Sequence, residues 1–555
     1  MKKSLLIWQQ SKNLLQQGYD VLQKELSVNI PAPCLPPESV EQDTGIGSPS
    51  SKGAERFFDF FAGVFSKAVL GPMGRSFPPD YSPYTSTQGQ NPLFIDLQKL
   101  TDKEYGYLLS RKTYEEICLP LKNSTDICYA QVSRNYNRAL LEAWHNFNNN
   151  LAKQDSFALM LDKNITALSH DIMLSRDAEF YTPFATRRYL FEEALSWYMQ
   201  QQNQFPFIAD LEIKMPDSLI VAKPQWFLAD FTLGSPADGL SSQARNWNFK
   251  VLNPDYIFNS DGSLGEAGKF LFDLFDKLFA SYKGGLRIDH FIGQVNPFVF
   301  ANIKDDTSGR LYSSYDNPKL KKYAKHTTEE FGSIVERIIL QAAAKNGKTA
   351  KDIYAEDLGA RPEQLDEVML KYGIGRMLLP QFADMDNPSH IYHLQNSSAN
   401  DVALSDTHDT LSIRDFYLRA DYETRVKYAR SMAKNLRFDY NDSLAEPLNC
   451  LRMQWGELLW CPAQRVQAFF TSITGQDGRY NEPGNPKKWR LRCVPDFEEL
   501  YFTNLLNGRA YNPFDAIALA VYARGDDFYH QHCHLVKKLR DIENQLKSAI
   551  IEELK

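Results

Sequence analysis

Gly285-Leu286-Arg287-Ile288-Asp289-His290-Phe291 alternates in character along its length. In a strand, successive side chains point to opposite faces. Leu286 and Ile288 then share one face and pack on outer helices, while Arg287 and Asp289 share the other, near the strand end. An adjacent arginine keeps a carboxylate ionised, as a nucleophile requires. Taken alone, the run reads first as a structural Arg–Asp pair.

Around this run, short apolar stretches alternate with helical patterns from 205 to 410. The stretches are FPFIADLEI, GGLRIDHF, KDIYAEDL, GRMLLPQF and NDVALSDTHD, separated by segments such as EAGKFLFDLFDKLFASY and TEEFGSIVERIILQAAAK. That alternation predicts a parallel sheet with crossover helices. Several strands end in a polar or charged cluster, as in a barrel with its site at the strand C-termini. The fold class expected is α/β, a (β/α)8 TIM barrel with large, mainly helical insertions. Residues 1–27 read as an amphipathic N-terminal helical extension, 28–510 as the catalytic barrel with a helical insertion at about 101–200, and 511–555 as a C-terminal helical segment. The stretch 28–53 reads as a short strand and a long loop, 54–98 as a helix and a turn-rich loop, and 411–555 as mostly helical.

Bulk properties narrow the function classes. The 555 residues carry a net charge of -7, with neither the basic excess nor the basic stripe of a nucleic-acid binder. Aromatics make up 13%, enough to supply stacking faces for sugar rings as well as a core. Seven scattered cysteines without a C-x-x-C pair fit free thiols and a reducing compartment. The apolar run after the opening Met-Lys-Lys is too short for a signal peptide, and no stretch has membrane-span length, so a cytoplasmic protein without a membrane partner is expected. His530 and His534 share a helical face but lack a second ligand pair, so no metal is expected there. Gly347-Lys348-Thr349 lacks the upstream glycine of a phosphate-binding loop.

Two further runs end in acids. In Ile353-Tyr354-Ala355-Glu356-Asp357-Leu358-Gly359, Glu356 closes an apolar strand, and a partly buried carboxyl there has a raised pKa and can donate a proton. In Ser405-Asp406-Thr407-His408-Asp409-Thr410, His408 and Asp409 could bind sugar hydroxyls. Singly, the first reads as a surface acid or cap and the second as a capping Asp.

In this order and with these neighbours, the three acids resemble the α-amylase clan and, more narrowly, the 4-α-glucanotransferase (amylomaltase, disproportionating enzyme) family, glycoside hydrolase family 77. The resemblance covers roughly residues 28 to 500. It implies Asp289 as nucleophile, Glu356 as acid/base and Asp409 as the third carboxylate, with Arg287 and His408 holding the nucleophile and binding sugar hydroxyls. SPYTSTQGQNPLFIDL, residues 82–97, resembles the family's N-terminal active-site loop and implies Tyr84 near the sugar; FIADLEI implies an active-site role for Asp210. GIGRMLLPQF and YNEPGNPKKWRLR resemble further family segments.

The family's acceptor loop, roughly PPDxFSxxGQxWGxP, stands here as residues 236–250. Asp238, Ser241 and Trp247 keep register. Ala244-Arg245 replaces Gly-Gln, Asn248-Phe249-Lys250 replaces Gly-x-Pro, Ala209-Asp210-Leu211-Glu212 replaces GDLP, and Thr410 replaces an Asn. The changes at Ala244, Arg245, Asn248 and Lys250 predict a looser loop and more hydrolysis relative to transfer. The implied activity is retaining cleavage and transfer of α-1,4-glucans such as maltooligosaccharides, starch or glycogen, without a cofactor. Retention requires the two carboxyl groups to stand about 5–5.5 Å apart. An amylase-type hydrolase and a non-catalytic glucan-binding protein are the alternatives.

Overall fold

The computed structural model describes residues 2–76, 78, 81–86, 89–118, 125–168, 183–237, 243–301, 309–314, 325–359, 361–482 and 484–555. Twelve strands are found among them: β1 (Glu25–Asn29), β2 (Lys67–Val69), β3 (Phe207–Leu211), β4 (Phe227–Ser235), β5 (Arg245–Leu252), β6 (Gly285–Ile288), β7 (Phe298–Ala301), β8 (Arg310–Leu311), β9 (Ile353–Ala355), β10 (Met377–Leu378), β11 (Val402–Leu404) and β12 (Arg465–Phe469).

Eight of these form one sheet in the order β10-β11-β12-β1-β2-β3-β6-β9, every pairing parallel. The sheet curls into a nearly closed (β/α)8 barrel. At the seam between its two ends, the Met377 backbone N–H at the start of β10 donates to Asp357 Oδ1, just past β9, at 2.7 Å. The Arg361 guanidinium pairs with the other Asp357 oxygen.

Side-chain alternation explains why the sheet closes. Val28, Ala68, Ala209, Leu286, Ile288, Ile353, Ala355 and Val466 point outward into a large core shared with the helices. Val69, Ile208, Tyr354, Met377, Val402 and Leu404 point inward and form a separate small cluster inside the barrel. Leu286 and Ile288 are therefore on the outer face, as their spacing predicts.

The expected helical insertion contains helices Arg111–Ile117, Tyr129–Ala152, Ser156–Leu168 and Pro183–Gln201. In Tyr129–Ala152 the buried residues Val132, Tyr136, Ala139, Leu140, Ala143, Trp144 and Phe147 recur every three or four positions. That stripe builds a second core with Phe191 and Leu195.

Helix Lys2–Leu22 lies against helices Pro513–Ala523 and Asp526–Leu554. Its Trp8 is wholly buried among Phe60, Phe61, Tyr501, Phe502 and Phe514, and the indole N–H donates to the Phe60 carbonyl at 2.6 Å.

Three features depart from the sequence reading. β2 lies in a stretch read as helix and loop, and β12 in one read as helical. The antiparallel sheet β5-β4-β7-β8 was not anticipated. All seven cysteines are unpaired. Among the described residues, no helix is long and apolar enough to cross a membrane.

Candidate active site

The C-terminal ends of the barrel strands open into a cleft of about 330 Å³, lined among others by Tyr84, Trp247, Arg287, Asp289, His290, Glu356, His408, Asp409, Arg479, Asn481 and Trp489. The parallel register explains the meeting. β6 pairs with β9 through Arg287↔Tyr354 and Ile288↔Ala355, so Asp289 and Glu356 follow at one level of adjacent strands. Asp289 N–H donates to the Leu211 carbonyl at 2.9 Å and Glu356 N–H to the Ile288 carbonyl at 3.0 Å, so the ladder runs on past both acids. Neighbouring strands lie about 4.8 Å apart, so the two acids emerge side by side at the strand ends.

Arg287 anchors the site. β3 pairs with β6 at Asp210↔Arg287. The guanidinium donates from Nη1 to Asp210 Oδ1 at 2.6 Å and from Nη2 to Asp289 Oδ1 at 3.0 Å. Tyr84, on a 3-10 turn at Pro83–Thr85, donates its hydroxyl to Asp210 Oδ2 at 2.9 Å. Burial and the Asp210 charge hold this phenol far above its ordinary pKa, so it remains a donor. Asp210 sits behind Arg287 and Tyr84 and fixes both.

The far wall follows β11. Tyr84 stacks on His408 with ring centroids 4.9 Å apart, and Trp489 packs at 6.0 Å from His408. His408 Nε2 lies 3.1 Å from Asp409 Oδ2, and Asn481 Nδ2 donates to Asp409 Oδ1. Arg479 donates to the Asp409 carbonyl. Burial by itself would raise the Asp409 carboxyl, but His408 and Asn481 outweigh it and hold it well below the carboxylate range. Burial would likewise lower His408, yet the Asp409 charge raises it. Each partner therefore favours the charged form of the other.

Glu356 is held differently. Its Oε2 accepts from the His290 backbone N–H at 2.9 Å and its Oε1 from the Leu358 N–H at 2.8 Å. Burial is the largest influence on Asp289 and Glu356 and pushes both upward, while Arg287 pulls both back. Neighbouring carboxylates raise each further, Glu356 and Asp210 acting on Asp289 and Asp409 on Glu356. Two like charges this close do not both form readily. Arg287 bonds directly to Asp289 and the two backbone N–H groups donate to Glu356, so the two acids titrate as a coupled pair. The two N–H donors occupy one lone pair on each Glu356 oxygen and leave the others open to a proton or a sugar hydroxyl.

The structure thus gathers Asp289, Glu356, Asp409, Arg287, His408, Tyr84 and Trp247 around one cleft, with Asp210 directly behind. Asp238 and Ser241 lie outside the described residues. Sequence reasoning missed Arg479, Asn481 and Trp489 as individual site residues. Their signal was present, since they fall in or beside YNEPGNPKKWRLR. Asn248 adopts φ +59°, a left-handed conformation that asparagine tolerates better than most side chains. Asn there in place of the family's Gly keeps that backbone form accessible.

A parallel barrel that gathers paired carboxyl groups, an arginine and an aromatic wall at its strand ends has the architecture of a glycoside-active barrel enzyme. The family model of 4-alpha-glucanotransferases, glycoside hydrolase family 77, matches residues 188–496. The match spans more than half of the chain, and the chain belongs to this family of glucanotransferase enzymes. A 4-alpha-glucanotransferase from Clostridium butyricum is 25% identical over 508 residues, covering 84% of this chain and 96% of that protein. The amylomaltase from Streptococcus agalactiae, solved in complex with acarbose, superposes with a TM-score of 0.65 at 18% identity over 91% of this chain and all of that one. An amylomaltase from Corynebacterium glutamicum gives 0.59 at 16% identity, covering 94% and 76%.

Proposed function

We propose that the chain transfers α-1,4-linked glucan segments between maltooligosaccharides, starch or glycogen, with Asp289 as nucleophile and Glu356 as acid/base. The observation that carries this is the Asp210–Arg287–Asp289 chain beside a buried, upward-shifted Glu356. Asp289 attacks the anomeric carbon as the bond to the leaving glucan breaks, and the Glu356 proton passes to the leaving oxygen. A glycosyl ester on Asp289 results. An acceptor hydroxyl then gives its proton to Glu356 and attacks the same carbon, freeing Asp289.

The ionised Asp409 accepts hydrogen bonds from hydroxyls of the reacting ring, and His408 supplies a donor beside it. Tyr84 and Trp489 provide ring faces on that wall and Trp247 a face on the opposite rim. Asp210 and Arg287 keep the nucleophile charged and aimed. Asp238 belongs to this reading as an acceptor-side residue on the ground of the family resemblance.

Incubation with maltotriose tests the proposal. Transfer yields a ladder of longer and shorter glucans with a constant number of reducing ends. Accumulation of reducing ends without longer products would replace transfer by hydrolysis.

A further inference from the structure

We propose that His290 is a positioning residue that couples the β4–β5 hairpin beside the cleft to the acid/base Glu356. The inference rests on the acid/base role proposed for Glu356.

His290 follows the nucleophile directly, and its backbone stands at φ +47°, in the left-handed region that side chains other than glycine rarely occupy. Such a conformation persists where its surroundings over-determine it, and here both ends of the residue are tied. Its backbone N–H donates to Glu356 Oε2 at 2.9 Å. The next amide, Phe291 N–H, donates to the Glu356 carbonyl at 2.8 Å. The turn after β6 therefore wraps the acid/base from carboxyl to main chain.

The ring points the other way. It is hydrogen-bonded to the Gly234 carbonyl on β4. Its edge meets Trp247 of β5, with centroids 4.6 Å apart at 76°. Among the described residues, Nε2 is buried without a hydrogen-bond partner. Burial and the Arg245 charge lower the imidazole to about 4, which keeps the ring neutral at working pH. The hairpin offers little slack at this point. A Cβ on Gly234 would lie 2.2 Å from the Arg245 carbonyl oxygen, so β4 and β5 approach there as closely as glycine allows.

Trp247 and His290 both line the cleft. A sugar seated on Trp247 presses against the ring whose own backbone supplies a hydrogen bond to Glu356. That bond favours the carboxylate, the form needed when Glu356 acts as base toward the acceptor. The charged groups facing Glu356 are Arg287 and Asp289 from β6 and Asp409 beyond β11, with His408 behind the last; Arg245 of β5 faces the His290 ring. None of these supplies a main-chain donor to Oε2.

The test is the pH profile of maltotriose disproportionation for wild type, His290→Ala, His290→Asn and Glu356→Gln. Alanine removes the ring and its ties, and asparagine retains a side chain tolerated at positive φ. His290→Ala is expected to lose roughly tenfold in kcat, with the basic limb of its profile displaced upward. His290→Asn is expected to recover part of both changes. A His290→Ala enzyme whose folded fraction keeps the wild-type profile would show a structural role alone and overturn the inference. With Glu356→Gln inactive, that outcome overturns only the coupling. An active Glu356→Gln variant overturns the acid/base assignment as well.

Discussion

Asp289 and Glu356 differ in what surrounds them more than in what they are. Asp289 accepts from a guanidinium that is itself pinned by Asp210, whereas Glu356 accepts from main-chain N–H groups. Asp289→Asn keeps the shape and removes the attacking charge. Turnover of maltotriose should fall by at least about a thousandfold, while glucan binding, read by calorimetry, persists. Glu356→Gln should cripple maltotriose turnover but spare the first step with α-glucosyl fluoride, whose leaving group needs no proton. Equal losses on the two donors would remove the general-acid role. Singly each acid reads as structural, Asp289 closing a strand of alternating residues and Glu356 an apolar one; their order and neighbours, through the family resemblance, make them candidates. Arg479, Asn481 and Trp489 lie in a loop, where no period points a side chain anywhere. The segment is recognisable by resemblance, but it is the fold that sets Arg479 and Asn481 against Asp409 and Trp489 against His408.

At the scale of elements, the loop carrying Tyr84 is gripped from two sides. Ser86 Oγ donates to Glu212 Oε1 at 3.2 Å, just past β3. Gln90 N–H donates to Glu193 Oε2 at 2.8 Å, on the last helix of the insertion. Burial pushes the Glu212 carboxyl from its usual 4.5 up to about 8, and the charges of Asp210 and Asp289 add to the shift. The folded protein therefore keeps a proton that the unfolded chain releases. Stability conferred at low pH is lost as pH rises from about 4.5 to about 8 and changes no further above that. Glu212→Gln preserves an acceptor for Ser86 and removes this slope. Its stability relative to wild type, read from thermal melts, should climb through that window by on the order of 1 kcal/mol per pH unit and level off above it. Parallel melting curves would exclude a buried, protonated Glu212. The same scale shows why β12 escaped the sequence reading. Val466 and Ala468 face the outer core, but Arg465 and Gln467 point inward as polar groups. The strand thus lacks the apolar run that marked β3 and β9. β2 is three residues long, too short to register as a period beside the aromatic helix before it.

Across the whole molecule, the barrel divides its labour between its two ends. The cleft occupies the C-terminal ends of the strands, and the opposite end is closed by a buried polar layer. There Arg465 reaches from β12 across the interior, donating from Nη1 to the Lys351 carbonyl at 2.6 Å and the Ile353 carbonyl at 3.0 Å, and from Nη2 to the Asn400 carbonyl. Its guanidinium lies over the Tyr354 ring at 4.9 Å, and Tyr354 donates to Glu25, which pairs with Lys67. These bonds tie β12 to the segments that lead into β9 and β11, on both sides of the seam that backbone pairing leaves between β9 and β10. In a barrel, residues at this end serve stability and those at the other serve chemistry. Arg465→Met keeps much of the side-chain volume but leaves three carbonyls without their donor. The loss should be about 3 kcal/mol, seen as a lower denaturation midpoint. The folded fraction should retain wild-type kcat and KM for maltotriose, because nothing in the cleft touches Arg465. A large fall in kcat with an unchanged midpoint would contradict this division, and would mean that the seam reaches the chemistry through β9 to Glu356.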